Sequence, residues 1–301
     1  MPKISTNILI KMAIGISLSL TAGYLGISAL AAHVLSTPTR IFDPNQRAIF
    51  PQLPEDVRFS TQDGIEIAAW WLPFKSGDRA VILVPGMNSS RTAEFGGHFA
   101  EFGAALHQEG FAVLMIDLRG HGQSGNARFT FGQSERKDVI AAVDWLKKQG
   151  FKAGKIGVLS VSMGAAAAIA ATAEDADIGA LVADSGYGEV YPVMERNWAK
   201  TSGLHNVFLP STMMFGSWYT GYNLTSSKPA NEIGRIQPRP ILIIHSAVDP
   251  FTPIEQAKQL RKAAPSAEYW ETTAPNHAGS YNSNPRIYVR KVSAFFDRSL
   301  K

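Results

Sequence analysis

A serine hydroxyl attacks a carbonyl only when a neighbouring imidazole takes its proton and a carboxylate holds that imidazole in the right tautomer. The run Ser160-Val161-Ser162-Met163-Gly164 offers such a hydroxyl at Ser162, between an apolar strand-like stretch at 155–160 and a small-residue helix-like stretch at 164–172. On a sharp strand-to-helix turn the side chain points away from the backbone. Crowding there demands small neighbours, which Gly164, Ala165 and Ala166 supply. The following helix aims its first N–H groups at developing negative charge, with the Met163 backbone N–H as an oxyanion donor. Ser160 stands where the usual G-x-S-x-G pattern has glycine. The carboxylate and the imidazole belong after strand ends further along the chain. Asp249, in His245-Ser246-Ala247-Val248-Asp249-Pro250, follows the apolar run 240–245, and His277 follows the strand-like Glu268–Thr272. His277 is the last of seven histidines and the one beyond Asp249. Asp184, after the run 180–183, is an alternative position for the acid, although Ala183-Asp184-Ser185-Gly186 suits hydrogen bonds at a lid entrance better. His121 and His245 read as structural, and the histidines match no H-E-x-x-H or other metal spacing.

These side chains need strands whose ends converge on one edge. Residues 57–60 and 65–74 flank Gln62-Asp63-Gly64 and predict an antiparallel hairpin. The runs 80–84, 111–117, 155–160, 180–183 and 240–245 are apolar without alternation, as strands buried on both faces are. Helices are expected at 93–109, 133–149, 164–172, 253–264 and 285–298, with Gly110 and Gly150 as stops for the first two. This alternation predicts an α/β fold with a mostly parallel sheet covered by helices on both faces. Residues 187–237 break the rhythm with Trp198, Phe208, Phe215, Trp218, Tyr219 and Tyr222. A structureless loop of that length is rare in a compact domain, so a helical lid over one end of the sheet is expected.

With Asp117-Leu118-Arg119-Gly120-His121-Gly122 added to these motifs, residues 57–300 resemble the α/β-hydrolase superfamily, nearest its serine-aminopeptidase-like and monoglyceride-lipase-like branch. The resemblance implies an α/β-hydrolase fold, an eight-stranded mostly parallel sheet and a triad in the chain order Ser162, Asp249, His277. It maps the family's H-G pair onto Pro85-Gly86, which makes the Met87 N–H the second oxyanion donor beside Met163. Pro85 replaces the family's histidine there, and Ser246 the glycine of its H-G-x-x-D element. No metal or organic cofactor is implied.

The chain has no cysteine, which excludes disulfides, thiolate catalysis and cysteine-ligated metals. Residues 12–35 carry no formal charge and are long enough to cross a bilayer, which takes roughly 20 apolar residues. They read as a signal anchor behind Lys3 and Lys11, or as a leader cleaved near Ala29-Leu30-Ala31. The anchor reading puts the catalytic domain on the non-cytoplasmic side, although Arg40 and Arg47 blunt the charge asymmetry; the cleaved reading makes it secreted or periplasmic. Beyond residue 35 the chain has 27 basic against 25 acidic side chains, so nothing favours nucleic acid as a partner. The domain plan is a membrane segment at 1–35, a linker at 36–56 and a hydrolase domain at 57–301 with the lid at about 187–237. The expected function is a serine hydrolase that cleaves carboxylic, lipid-like acyl esters through an acyl-enzyme. Two alternatives stay open: a peptidase on the same triad, with Glu189 or Glu195 clamping a substrate amine, and a non-catalytic membrane-tethered binding protein. Ser162 at the turn excludes dehalogenase-like and epoxide-hydrolase-like chemistry, which needs a carboxylate there.

Overall fold

A computed structural model describes residues 5–74 and 77–300, so Lys3 lies outside the described residues. Its strands are β1 (Glu55–Ser60), β2 (Glu66–Leu72), β3 (Ala80–Val84), β4 (Ala112–Ile116), β5 (Ile156–Val161), β6 (Ile178–Asp184), β7 (Ile241–Ser246) and β8 (Glu268–Thr272). They form one eight-stranded sheet in the order β1-β2-β4-β3-β5-β6-β7-β8. The β1–β2 and β2–β4 pairings are antiparallel and the others parallel. From β3 to β7 every strand residue is buried, because helices cover both faces and leave no position for a polar side chain to reach water. The edge strands β1 and β8 keep the mixed pattern of strands with one solvated side.

The helices are α1 (Thr6–Leu35), α2 (Glu94–Gly97), α3 (Phe99–Gln108), α4 (Arg136–Lys148), α5 (Met163–Glu174), α6 (Val190–Ser202), α7 (Leu209–Thr220), α8 (Ile254–Ala263), α9 (Ser280–Ser283) and α10 (Pro285–Ser299). The single helix expected at 93–109 is broken in two. Phe95 and Gly96 take left-handed backbone, with φ of 55° and 66°. That bend buries two successive side chains: Glu94 turns to the loop after β3, and the Phe95 ring stacks on Tyr281 at 5.0 Å. The helix expected to start at 133 starts at Arg136, because the Glu135 carboxylate accepts the N–H groups of Thr130 and Gly132 at 2.7 and 2.9 Å and holds that stretch as a turn.

Residues 36–56 lie fastened along the sheet domain. Arg40 donates to the carbonyls of Gly122 and Ser124 at 2.9 and 2.8 Å, and the buried Phe50 meets Trp70 edge-on at 6.0 Å. Between β6 and β7 the chain forms α6, α7 and a series of 3₁₀ turns. The one helix long and apolar enough to cross a membrane among the described residues is α1, whose C-terminal part packs on α7.

The segment after β4 carries the most concentrated buried charge. Asp117 accepts the N–H groups of Arg91 and Gln123 at 2.8 and 2.9 Å and pairs with the Arg91 guanidinium, which lies 4.4 Å over the Phe42 ring. Arg119 bridges Asp138 and Asp63 at 2.7 and 2.9 Å. These pairs hold the Asp117–Gly122 motif as scaffolding against α4. Removing one member strands a buried charge, so Asp117→Ala should cost about 3–5 kcal/mol of stability in guanidinium unfolding of the full chain. A loss below about 1 kcal/mol, the range of exposed pairs, would contradict this assignment.

Candidate active site

Ser162 sits between β5 and α5 with φ 54° and ψ −119°. A non-glycine residue rarely takes such values, and they cost about 1–3 kcal/mol. Two backbone hydrogen bonds hold it there. Its N–H donates to the Asp184 carbonyl at 2.9 Å, and its carbonyl accepts the Ala165 N–H at 3.0 Å. Glycines on both sides of the turn permit the close approach: a Cβ on Gly164 would lie 2.3 Å from the Pro85 carbonyl oxygen, and one on Gly86 would lie 3.1 Å from the Ser162 Cβ. Ser160, in place of the usual glycine, fits because its hydroxyl donates to the Val182 carbonyl of β6 at 3.1 Å.

Asp249 and His277 arrive on the loops after β7 and β8. Ser246 Oγ ties the two loops by donating to the Ala274 carbonyl at 2.6 Å, a role the glycine of the resembled motif has no side chain to fill. The imidazole joins the other two residues: Nδ1 is 2.8 Å from Asp249 Oδ2 and Nε2 is 2.8 Å from Ser162 Oγ. The other carboxylate oxygen accepts the N–H groups of Phe251 and Thr252, each at 2.8 Å. Burial pushes the Asp249 carboxyl up, but the His277 hydrogen bond and charge and the two backbone donors outweigh it and hold it below the usual carboxylate range. A carboxylate that stays ionised favours a proton on Nδ1, which leaves Nε2 free to accept the serine proton. The Phe251 ring packs against the imidazole at 5.2 Å.

The loop after β3 brings Gly86, the residue before Met87, against this turn: a Cβ on it would lie 3.3 Å from the Val161 carbonyl oxygen. Glu94 accepts the Gly86 N–H at 2.6 Å and so fixes the peptide that precedes Met87. Among the described residues, neither the Met87 nor the Met163 N–H has a protein acceptor. Sequence reading missed Glu94, the one acid in the loop after β3. It also missed Tyr288, one of the apolar stripe on α10.

Asp184 does not reach the imidazole. Its oxygens accept from Ser185 Oγ at 2.9 Å and from the Tyr288 hydroxyl at 2.7 Å, so its side chain faces α10 rather than the lid segment that the sequence suggested. Burial raises its carboxyl to about 6. His121 is buried with Nδ1 on the Arg119 carbonyl at 2.8 Å, and burial lowers it to about 4, which keeps it neutral. His245 is buried with Nε2 on the Thr252 carbonyl at 2.9 Å. Glu189 takes a hydrogen bond from Gln259 at 3.1 Å and lies 3.5 Å from Lys228, while Glu195 is exposed on α6.

The family model described as serine aminopeptidase S33 matches residues 75–214. The esterase Pf2001 of Pyrococcus furiosus superposes with a TM-score of 0.71 at 28% identity, covering 88% of this chain and 98% of that one. The chain belongs to the α/β-hydrolase superfamily. The chain is also 30% identical to YqkD, an uncharacterized protein of Bacillus subtilis, over 62% of the present chain. That match spans 63% of YqkD. It is 28% identical to the uncharacterized protein Rv2307c of Mycobacterium tuberculosis, over 73% of this chain and 70% of that one.

A carboxyl whose folded-state value is raised binds its proton more tightly when folded. The Asp184 contribution is therefore fully present below about 3.8 and is lost as pH rises through about 6. Unfolding curves between those limits should show wild-type stability falling relative to Asp184→Asn, by at most about 3 kcal/mol at roughly 1.4 kcal/mol per unit. Parallel pH curves for the two proteins would remove Asp184 as the titrating group.

Proposed function

We propose that this α/β-hydrolase is a serine esterase that cleaves lipid-like acyl esters, with Ser162 as nucleophile, His277 as general base and Asp249 as its orienting acid. The observation that carries the reading is the unbroken relay from Ser162 Oγ through the imidazole to Asp249, with both hydrogen bonds at 2.8 Å. Ser162 Oγ bonds to the ester carbonyl carbon while its proton passes to His277 Nε2. The oxyanion that forms is held by the N–H groups of Met87 and Met163. As the tetrahedral intermediate collapses, the C–O bond to the leaving alcohol breaks and His277 gives that alcohol its proton. A water then attacks the acyl-enzyme, its proton passing to His277 and on to Ser162 Oγ as the free acid leaves.

Three observations support esters as the substrate. The Pf2001 neighbour is called an esterase. The segment between β6 and β7 lines its inner face with apolar side chains such as Val193, Trp198 and Met213, and we assign it as the lid over residues 187–237. Glu189 is already paired with Gln259 and Lys228, and Glu195 is exposed on α6, which favours esters over a substrate held by an amine clamp. The peptidase alternative rests on the description of the matched family. We further assign α1 as a membrane anchor and residues 36–56 as the connection that carries the domain.

Initial rates on p-nitrophenyl esters and aminoacyl p-nitroanilides test this assignment. Wild type should turn over the esters, and Ser162→Ala or His277→Ala should lower kcat by about 10⁴-fold or more, with Asp249→Asn at about 10³–10⁴. Turnover of the anilides alone would move the assignment to a peptidase. Ester turnover that survives in Ser162→Ala would overturn it.

A further inference from the structure

The C-terminal half of α1 is docked along α7. The Tyr24 hydroxyl donates to the Val207 carbonyl at 2.8 Å, Ser28 and Ser211 meet at 2.7 Å, and Ser211 Oγ also donates to the Tyr24 hydroxyl at 2.7 Å. Further along, the Tyr219 hydroxyl donates to the Ala29 carbonyl at 3.3 Å, and its ring meets His33 edge-on at 6.3 Å. The two helices therefore run parallel, with Val207 level with Tyr24 and Tyr219 level with the stretch from Ala29 to His33. The hydroxyls of Tyr24, Ser28 and Ser211 satisfy one another across the seam, as contact inside a bilayer requires, because no water reaches them there.

α7 turns outward the side chains that a helix in water turns inward. Val207 in the turn before it, then Pro210, Met214 and Trp218, recur at helical spacing on its outer side. Val207, Met214 and Trp218 are 55%, 56% and 76% exposed. Its buried face mixes Leu209 and Met213 with Ser211, Thr212 and Gly216. α8 and α10 have the ordinary arrangement, with Glu255, Lys258, Arg286 and Arg290 exposed over apolar inner faces. Between Lys200 and Lys228 the chain carries no formal charge. An exposed apolar surface of this kind marks a contact with another apolar body.

The depth of the stripe follows from α1. Lys11 is the last formal charge on that helix. At about 1.5 Å per residue, Tyr24 stands about 20 Å from Lys11 along the axis, inside a hydrocarbon layer about 30 Å thick, and Ala31 stands at its far boundary. Val207, level with Tyr24, is thus at acyl-chain depth, and Trp218 and Tyr219 are at the boundary, where aromatic side chains gather. Arg128 sits at that same end. It binds the His33 carbonyl and Ser36 Oγ at 3.0 and 2.7 Å and lies 5.3 Å from the Tyr219 ring, a cation at headgroup level.

We propose that α7 is a second membrane element, its Val207–Met214–Trp218 stripe sunk in the leaflet beside α1. The partner that covers the stripe is the lipid of that leaflet, with acyl chains against Val207 and Met214 and headgroups around Trp218 and Arg128. The proposal rests on the reading of α1 as a membrane anchor and is independent of which bond the enzyme cleaves. It makes the segment between β6 and β7 part of the membrane-bound surface, so the domain is held on the bilayer at two places in the chain.

The chain has no cysteine, so one introduced thiol carries a label cleanly. Ile16→Cys, Met214→Cys and Lys262→Cys, each bearing the fluorophore NBD, report on the anchor, the stripe and the sheet domain of the full chain in phosphatidylcholine vesicles. The Met214 label should behave as the Ile16 label does: its emission is shifted to the blue, lost when brominated phosphatidylcholine is used, and kept in aqueous iodide. The Lys262 label should respond to iodide alone. Iodide quenching at position 214 with lipid quenching at position 16 puts the stripe in water and overturns the proposal while the anchor stands. A label at 214 shielded from both quenchers means that protein covers the stripe, which overturns the proposal in favour of a second copy of the chain. Iodide quenching at position 16 overturns the anchor reading and the proposal with it.

Discussion

The site depends on a backbone held where a serine does not ordinarily rest. At φ 54° and ψ −119°, Ser162 projects its hydroxyl out of the β5–α5 turn, and the surrounding structure must offset the strain. It does so with ordinary forces: the Asp184 carbonyl takes the Ser162 N–H, and glycines at 86 and 164 let the β3 loop and the α5 backbone close around the turn. The central strands, buried on both faces, supply the rigid frame. A turn on a partly solvated edge would relax at little cost, whereas this one lies between β3 and β6 with packed helices above and below.

The same frame delivers the other two side chains. β7 and β8 are neighbours, so their following loops bring Asp249 and His277 to one edge, and the Ser246–Ala274 hydrogen bond joins those loops. Asp249 spends one oxygen on backbone donors and the other on the imidazole, so its position is determined twice. In the mechanism we propose, this arrangement is pre-organised for general-base catalysis at Ser162.

Much of this was legible from residue types. Uninterrupted apolar runs marked β3 to β7, and small residues after Ser162 marked a crowded turn. What stayed hidden depended on contacts between distant segments. The split between α2 and α3 arises because Glu94 reaches Gly86 and Phe95 reaches Tyr281, partners far off in the chain. The Asp184 side chain was assigned to the lid because its partner, Tyr288, lies more than a hundred residues later. The docking of α1 on α7 was invisible for another reason: α1 is apolar all round, so hydrophobic periodicity marks no preferred face, and two serines and a tyrosine carry the specificity.

The central claim is that Ser162 is an activated nucleophile, and a covalent adduct reports this most directly. Full-length protein treated with a fluorophosphonate, digested and analysed by mass spectrometry should carry one phosphonyl group on the peptide containing Ser162, at a rate that collapses in His277→Ala. Folded protein that stays unmodified, or an adduct mapped to another serine, would contradict the account.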